Sequence, residues 1–417
     1  FKQKTAYEIM PSLVGSEMCI RDRLLALREK INSAMKFMNE KLREFISYPF
    51  AELDSLKEKL EGAGKTIIDM GVGDPDFPPP KEIQGALVAS LANPKTHNYP
   101  SYTGERELRQ SFARFFLQRY KIKLDPEKNI LVLIGTKEGI FHLPNAILNS
   151  GDIGAYTEPS YPVYRAGIVL AGGIPKELPL TEDNNFFPDL STLDDNVKLL
   201  FINYPNNPTT QVATKEFYEK LVRTAHEKGF LIANDASYNE IYFSSPPPSI
   251  LEIDGALDVA VEFHSLSKTF SMSGWRIGFV VGNSDAIFAL SALKKNIDSG
   301  VFRAVQAAAK TAIDSYWQIN DEIRAIYRDR VKAFKDALTK SGLESFNFGA
   351  TFYIWTKIPD SFGSSFEFVK FLLEETGILA MPGESMGPSG KRFVRFSMTV
   401  PNRKIEEAMD RISKIKF

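Results

Sequence analysis

Val259-Ala260-Val261-Glu262-Phe263-His264-Ser265-Leu266-Ser267-Lys268, followed by Gly274-Trp275-Arg276-Ile277-Gly278-Phe279-Val280-Val281, reads as strand, polar turn, strand. Both apolar runs, Val259 to Phe263 and Ile277 to Val281, are short and rich in β-branched and aromatic residues, which suits buried strands better than helices. Lys268 follows the first run in a turn of small hydroxyl residues, and Arg276 lies eight positions on, just before the second run. A lysine held beside a second cation in a half-dry pocket keeps its amine partly deprotonated, the state that attack on a carbonyl requires.

Outward from this stretch, short apolar runs recur at Ile130 to Ile134, Gly154 to Thr157, Val197 to Asn203 and Phe230 to Asn234. Helical patterns such as Glu105 to Tyr120 and Lys215 to Lys228 separate many of them. That alternation predicts an α/β domain with a mostly parallel central sheet over residues 78–301. Beyond it come a helical stretch around Asn320 to Lys340, a run at Phe352 to Thr356, a helix near Phe366 to Thr376 and a strand at Phe393 to Met398. These predict a linking helix and a smaller α+β domain over residues 302–417, to which part of residues 35–77 is added as an N-terminal arm. Residues 1–34 are set aside as a non-native or disordered leader. The segment through Arg23 has no clean period, is similar to translated adaptor sequence, and is interrupted by Glu17, Arg21 and Asp22 where a signal peptide needs an apolar core. The expected native start is Met35 or Met38.

The bulk properties narrow the function. The chain has 417 residues, is 43% apolar and 25% charged, and carries a formal net charge of -1. It shows no basic stripe for nucleic acid and no apolar run near the ~18 residues of a membrane span. With one cysteine and four histidines at no zinc-ligand spacing, neither disulfides nor a metal organise the fold, and the cytoplasm is the expected compartment. Small zwitterionic or anionic substrates fit best.

In open α/β sheets ligands gather beyond the carboxyl ends of the strands, and four such ends carry polar groups. Gly135-Thr136-Lys137-Glu138-Gly139 opens a helix, whose free N–H groups and dipole favour a phosphate. Tyr204-Pro205-Asn206-Asn207-Pro208-Thr209 presents an asparagine from a proline-fixed turn. Asp235 ends an apolar strand, with Tyr238 three positions later. A buried carboxylate there wants a cation, either a structural lysine or a pyridinium nitrogen. At ~4 Å and an effective dielectric near 20 the attraction is about 4 kcal/mol, enough to keep a pyridine nitrogen protonated near neutrality. The fourth end holds Ser265, Ser267, Lys268 and Arg276.

Through Asn207, Asp235, Tyr238, Ser265, Lys268, Arg276 and Arg395, the chain from about Phe45 onward resembles the class I and II aminotransferases of the fold-type I pyridoxal phosphate enzymes. Within them the likeness to the LL-diaminopimelate aminotransferases runs through Glu158-Pro159-Ser160-Tyr161-Pro162-Val163-Tyr164, Phe201 to Thr209, Glu262 to Lys268 and Asn296 to Phe302. The resemblance implies pyridoxal 5′-phosphate as cofactor, linked to Lys268, which would also move the substrate proton. It implies Asp235 at the pyridine nitrogen, Asn207 and Tyr238 at the ring oxygen, and Tyr161 stacked on the ring. Phosphate would lie among Ser265, Arg276 and the N–H groups of Thr136 and Lys137, with Tyr99 reaching it from the other subunit of a homodimer with shared active sites. Arg395, assisted by Gly73 and Asn207, would clamp the carboxylate of an amino acid or 2-oxo acid. Thr210 departs from the family, which usually has glycine there. An aspartate or alanine aminotransferase, or a lyase on the same fold, stays open as an alternative.

Overall fold

The computed structural model describes residues 37–45 and 51–417, so the leader expected over 1–34 lies outside the described residues. Residues 37–45 belong to a separate N-terminal unit and contain the short helix Glu40–Phe45. The remainder belongs to one compact unit built on two main sheets.

The larger sheet has seven strands. They are β1 (Ile130–Leu133), β2 (Ile153–Glu158), β3 (Ile174–Pro179), β4 (Val197–Asn203), β5 (Leu231–Asp235), β6 (Ala260–Ser265) and β7 (Gly278–Gly282), in the order β1-β7-β6-β5-β4-β2-β3. Strands from β6 across to β3 pair in parallel, whereas β7 runs antiparallel to both β6 and β1. The connection Leu266 to Ile277 forms only the short helix Leu266–Thr269 and the turn Ser273–Trp275, with no helix long enough to carry the chain back across the sheet, and the chain returns antiparallel. It also leaves Lys268 and Arg276 at the same edge of the sheet as the carboxyl ends of β1, β4 and β5.

Helices cover both faces. In β1 the alternate residues Ile130 and Val132 join a core with Phe112, Phe116 and Leu221, while Leu131 and Leu133 join another with Ile140, Leu143 and Leu290. A strand buried on both sides reads as a continuous apolar run, which is why Ile130 to Leu133 shows no alternation. Phe112 stacks on Phe279 with centroids 3.6 Å apart. Truncating such a ring to alanine costs about 3–5 kcal/mol.

The smaller sheet comprises β8 (Ser345–Phe346), β9 (Tyr353–Lys357), β10 (Met381–Pro382) and β11 (Phe393–Ser397), antiparallel in the order β10-β11-β9-β8. Its Ile354, Val394 and Phe396 pack with Tyr327, Phe334, Phe368 and Ile405 from helices Tyr316–Lys340, Ser365–Thr376 and Asn402–Ser413. Because successive strand residues face opposite ways, Val394 and Phe396 in this core leave Arg395 on the other face. The long helix starts at Tyr316, four residues before the expected Asn320, because the Tyr316 ring is buried and its hydroxyl bonds Glu240. Ile68–Asp69 pairs in parallel with Ile378–Leu379, and the chain then crosses from Gly71 to Pro80 toward the larger sheet's helices. Among the described residues no helix is long and apolar enough to cross a membrane.

Candidate active site

A cavity of about 490 Å³ opens at the carboxyl edge of the larger sheet. Gly73, Thr136, Lys137, Tyr161, Asn207, Asp235, Tyr238, Ser265, Lys268, Arg276 and Arg395 all line it. Among the residues to which the resemblance gives a site role, Tyr99 does not line it; it is on the surface and 84% exposed.

Lys268 sits in a one-turn helix, Leu266–Thr269, which is the form that the turn of small hydroxyl residues takes. Ser265 starts that turn, its hydroxyl accepting the Ser267 N–H at 3.2 Å. The Lys268 amine donates to the Gly73 carbonyl at 2.6 Å. Burial lowers its pKa to about 8, and Arg395 and Arg276 push the same way against the pull of Asp74 and Asp235. Neighbouring cations therefore contribute, as expected, but desolvation is the larger cause.

Asp235 is buried at the end of β5, and among the described residues no cation lies within ion-pairing distance of it. Its carboxylate accepts the Tyr164 hydroxyl at 2.8 Å, the Ser237 hydroxyl at 2.6 Å and the Ser237 N–H at 3.1 Å. Burial raises its pKa, and those hydrogen bonds oppose the rise. Tyr164 and Ser237 carry no assigned role in the sequence, because nothing local marks either as a partner of Asp235.

At the edge beyond β1, Gly135 has φ 75°, a conformation that glycine adopts without strain. A side chain there would also collide with Arg276, whose guanidinium nitrogen lies 2.4 Å from where a Cβ would stand. Helix Thr136–Ile147 begins at this point, so its first unpaired N–H groups and the Arg276 guanidinium form one anion cradle. Lys137 places its amine 5.5 Å from the centre of the Tyr161 ring.

The substrate end is organised by Arg395, which is 5% exposed. It donates to the Asn207 side-chain oxygen at 2.5 Å and to the Gly71 carbonyl at 2.6 Å, while its Nε has no partner. Its guanidinium stacks on Tyr353 at 4.1 Å, and the Tyr353 hydroxyl meets that of Tyr238 at 2.9 Å. Asn207 is held through its N–H by Asn203 at 2.7 Å, and Asn203 also donates to the Asp235 carbonyl. Asn203 and Tyr353 had no signal in the sequence, because their roles arise from contacts between distant segments. Gly73 lines the cavity, and a Cβ there would also fall 1.9 Å from the Tyr353 hydroxyl. Thr210 has φ 65°, which accounts for the glycine usual at that position.

The model of the family described as aminotransferase class I and II matches residues 65–412. The chain belongs to that family. It is 46% identical to an LL-diaminopimelate aminotransferase of Aquifex aeolicus over 91% of this chain and 99% of the relative. It is 42% identical to an LL-diaminopimelate aminotransferase of Halothermothrix orenii over 91% of this chain and 99% of that one. A substrate-bound structure of BacF from Bacillus subtilis superposes with a TM-score of 0.86 at 34% identity, covering 91% of this chain and 98% of the other. As an aminotransferase the chain acts on small molecules, and its α/β architecture is that of its structural neighbours.

Proposed function

We propose that this aminotransferase carries pyridoxal 5′-phosphate and moves an amino group between LL-diaminopimelate and 2-oxoglutarate. The observation that carries the cofactor reading is the convergence of three groups on one cavity: the lysine amine, an acid with no cationic partner among the described residues, and an anion cradle. The identities of 46% and 42% across nearly the whole chain support the narrower substrate.

The residues fit the cofactor. Phosphate suits the cradle of Arg276, Ser265 and the helix start at Thr136 and Lys137. Asp235, fixed by Tyr164 and Ser237, would hold a proton on the pyridine nitrogen, and Asn207 and Tyr238 would donate to the ring oxygen. When bound, the cofactor supplies a protonated ring that accepts the electron pair left when the substrate loses its Cα proton. Lys268 Nζ takes that proton and returns it, acting near neutral pH because burial has lowered its basicity. Arg395 would exchange the neutral oxygens of Asn207 and Gly71 for the substrate α-carboxylate, a stronger charge-assisted pair. Tyr161 would lie against the ring.

We further infer a homodimer with shared sites, in which the exposed Tyr99, Ile297 and Phe302 belong to a face that a second copy would cover. Light scattering should then give twice the chain mass. A panel of amino donors with 2-oxoglutarate tests the substrate: LL-diaminopimelate should yield glutamate fastest. No glutamate from it, with brisk turnover of aspartate or alanine, would reject that assignment. A lyase would instead release ammonia from amino acid alone, where a transaminase stops after one half-reaction.

A further inference from the structure

Tyr353 stands where three parts of the site meet. Its ring lies 4.1 Å from the Arg395 guanidinium, its hydroxyl is 2.9 Å from the Tyr238 hydroxyl, and the same hydroxyl occupies the space a side chain at Gly73 would need. The carbonyl of Gly73 in turn receives the Lys268 amine at 2.6 Å. Tyr353 is 2% exposed and opens β9, an inner strand of the smaller sheet, with Ser397 as its partner across the ladder. Trp355, two residues on, takes the place opposite Arg395 itself. The ring is also packed edge-on against Phe352 and Tyr238, which leaves it little freedom to turn.

A buried tyrosine hydroxyl needs a partner, and here each of two tyrosines supplies the other's. One hydroxyl must donate and the other accept. If Tyr238 spends its proton on the ring oxygen of a cofactor, Tyr353 is the group left to donate to Tyr238. Hydrogen bonds in a chain polarise one another, so a proton received by Tyr238 makes it a better donor onward. Meanwhile the face of the Tyr353 ring steadies the guanidinium that receives the substrate carboxylate.

We propose that Tyr353 is a positioning residue that joins the substrate-carboxylate clamp, Arg395, to the ring-oxygen donor, Tyr238. The proposal rests on the pyridoxal phosphate reading, and the two fail separately. A wild-type protein that takes up no pyridoxal phosphate counts against that reading before any Tyr353 variant is made.

The test compares Tyr353→Phe, which keeps the ring and loses the hydroxyl, with Tyr353→Leu, which loses both. The first should lower kcat about fivefold, with KM changed less than about twofold, the worth of one hydrogen bond felt at the reacting centre. It should also raise the pH midpoint of the visible absorbance change of the loaded enzyme, because a less stabilised ring oxygen makes the adjoining nitrogen more basic. Tyr353→Leu should add a rise in KM of about tenfold as Arg395 loses its aromatic face. In a double-mutant cycle, Tyr353→Phe placed on Tyr238→Phe should cost less than about twofold, since the partner is already gone. Tyr353→Phe with an unmoved pH midpoint and kcat within twofold of wild type would overturn the proposal. So would fully multiplicative losses in the cycle, which can be measured even if one single variant is poorly stable.

Discussion

Arg330 and Arg395 are both buried and both reach the segment from Gly71 to Asp76, yet only one is complete. Arg330 forks onto Asp76 at 2.6 and 3.0 Å and donates to Asn402 and to the Met398 carbonyl. Arg395 reaches only neutral oxygens, leaves its Nε unpaired and faces the cavity. The acids repeat the contrast, since Asp76 has a guanidinium whereas Asp235 has only hydroxyl and N–H donors. A closed pair holds the crossing segment in place. The open pair, Arg395 and Asp235, lines one cavity, and on the proposed reading the substrate carboxylate completes the first and the cofactor nitrogen the second.

Three substitutions separate the closed pair from the open one. Asp235→Asn should lower kcat about 1000-fold, the loss of the ~4 kcal/mol that on the proposed reading would hold a proton on the ring nitrogen, as read in steady-state kinetics. Arg395→Gln should lower kcat/KM about 150-fold, or ~3 kcal/mol, with little effect on unfolding because no carboxylate is left unpaired. Arg330→Met should do the reverse: about 3 kcal/mol of stability is lost in denaturant titration as Asp76 is left buried and charged. The kcat/KM of the folded fraction should stay within about threefold of wild type, and adding Asp76→Asn should restore part of the stability. If Arg330→Met proved as damaging to catalysis as Arg395→Gln, the division into closed and open pairs would fail.

The smallest effect concerns pH. On the proposed reading Lys268 would attack as the free amine, and with a pKa lowered to about 8 the free fraction grows as pH passes that value. Attachment of pyridoxal phosphate to the apoprotein should quicken about tenfold between pH 7 and 9 and then level off. A rate still climbing steeply above pH 10 would mean an ordinary exposed lysine.

Much of this arrangement was legible in the sequence, for physical reasons. Strands buried on both faces must be apolar runs, so β1, β4, β5 and β6 stood out, and the polar residues after them fell at one edge of the sheet. Alternation alone put Arg395 opposite Val394 and Phe396. What stayed hidden depends on contacts across the fold. Tyr353 is 115 positions from Tyr238, and nothing local marks it as that hydroxyl's partner. Tyr164 and Ser237 were equally silent, since a side chain that fixes an acid looks like any other core tyrosine or turn serine. Helix Leu266–Thr269 was read as a turn because four residues are too few to show a period. The steric constraint that Tyr353 puts on Gly73 is likewise invisible locally, because it comes from another strand's side chain.

The central claim is that Lys268 alone bonds the cofactor aldehyde, and chemical trapping tests it most directly. Protein loaded with pyridoxal phosphate, reduced with borohydride and digested should carry the pyridoxyl group on the peptide containing Lys268. The Lys268→Ala protein should carry none and show no visible band after loading. A label on another lysine, or equal labelling of wild type and variant, would contradict the account.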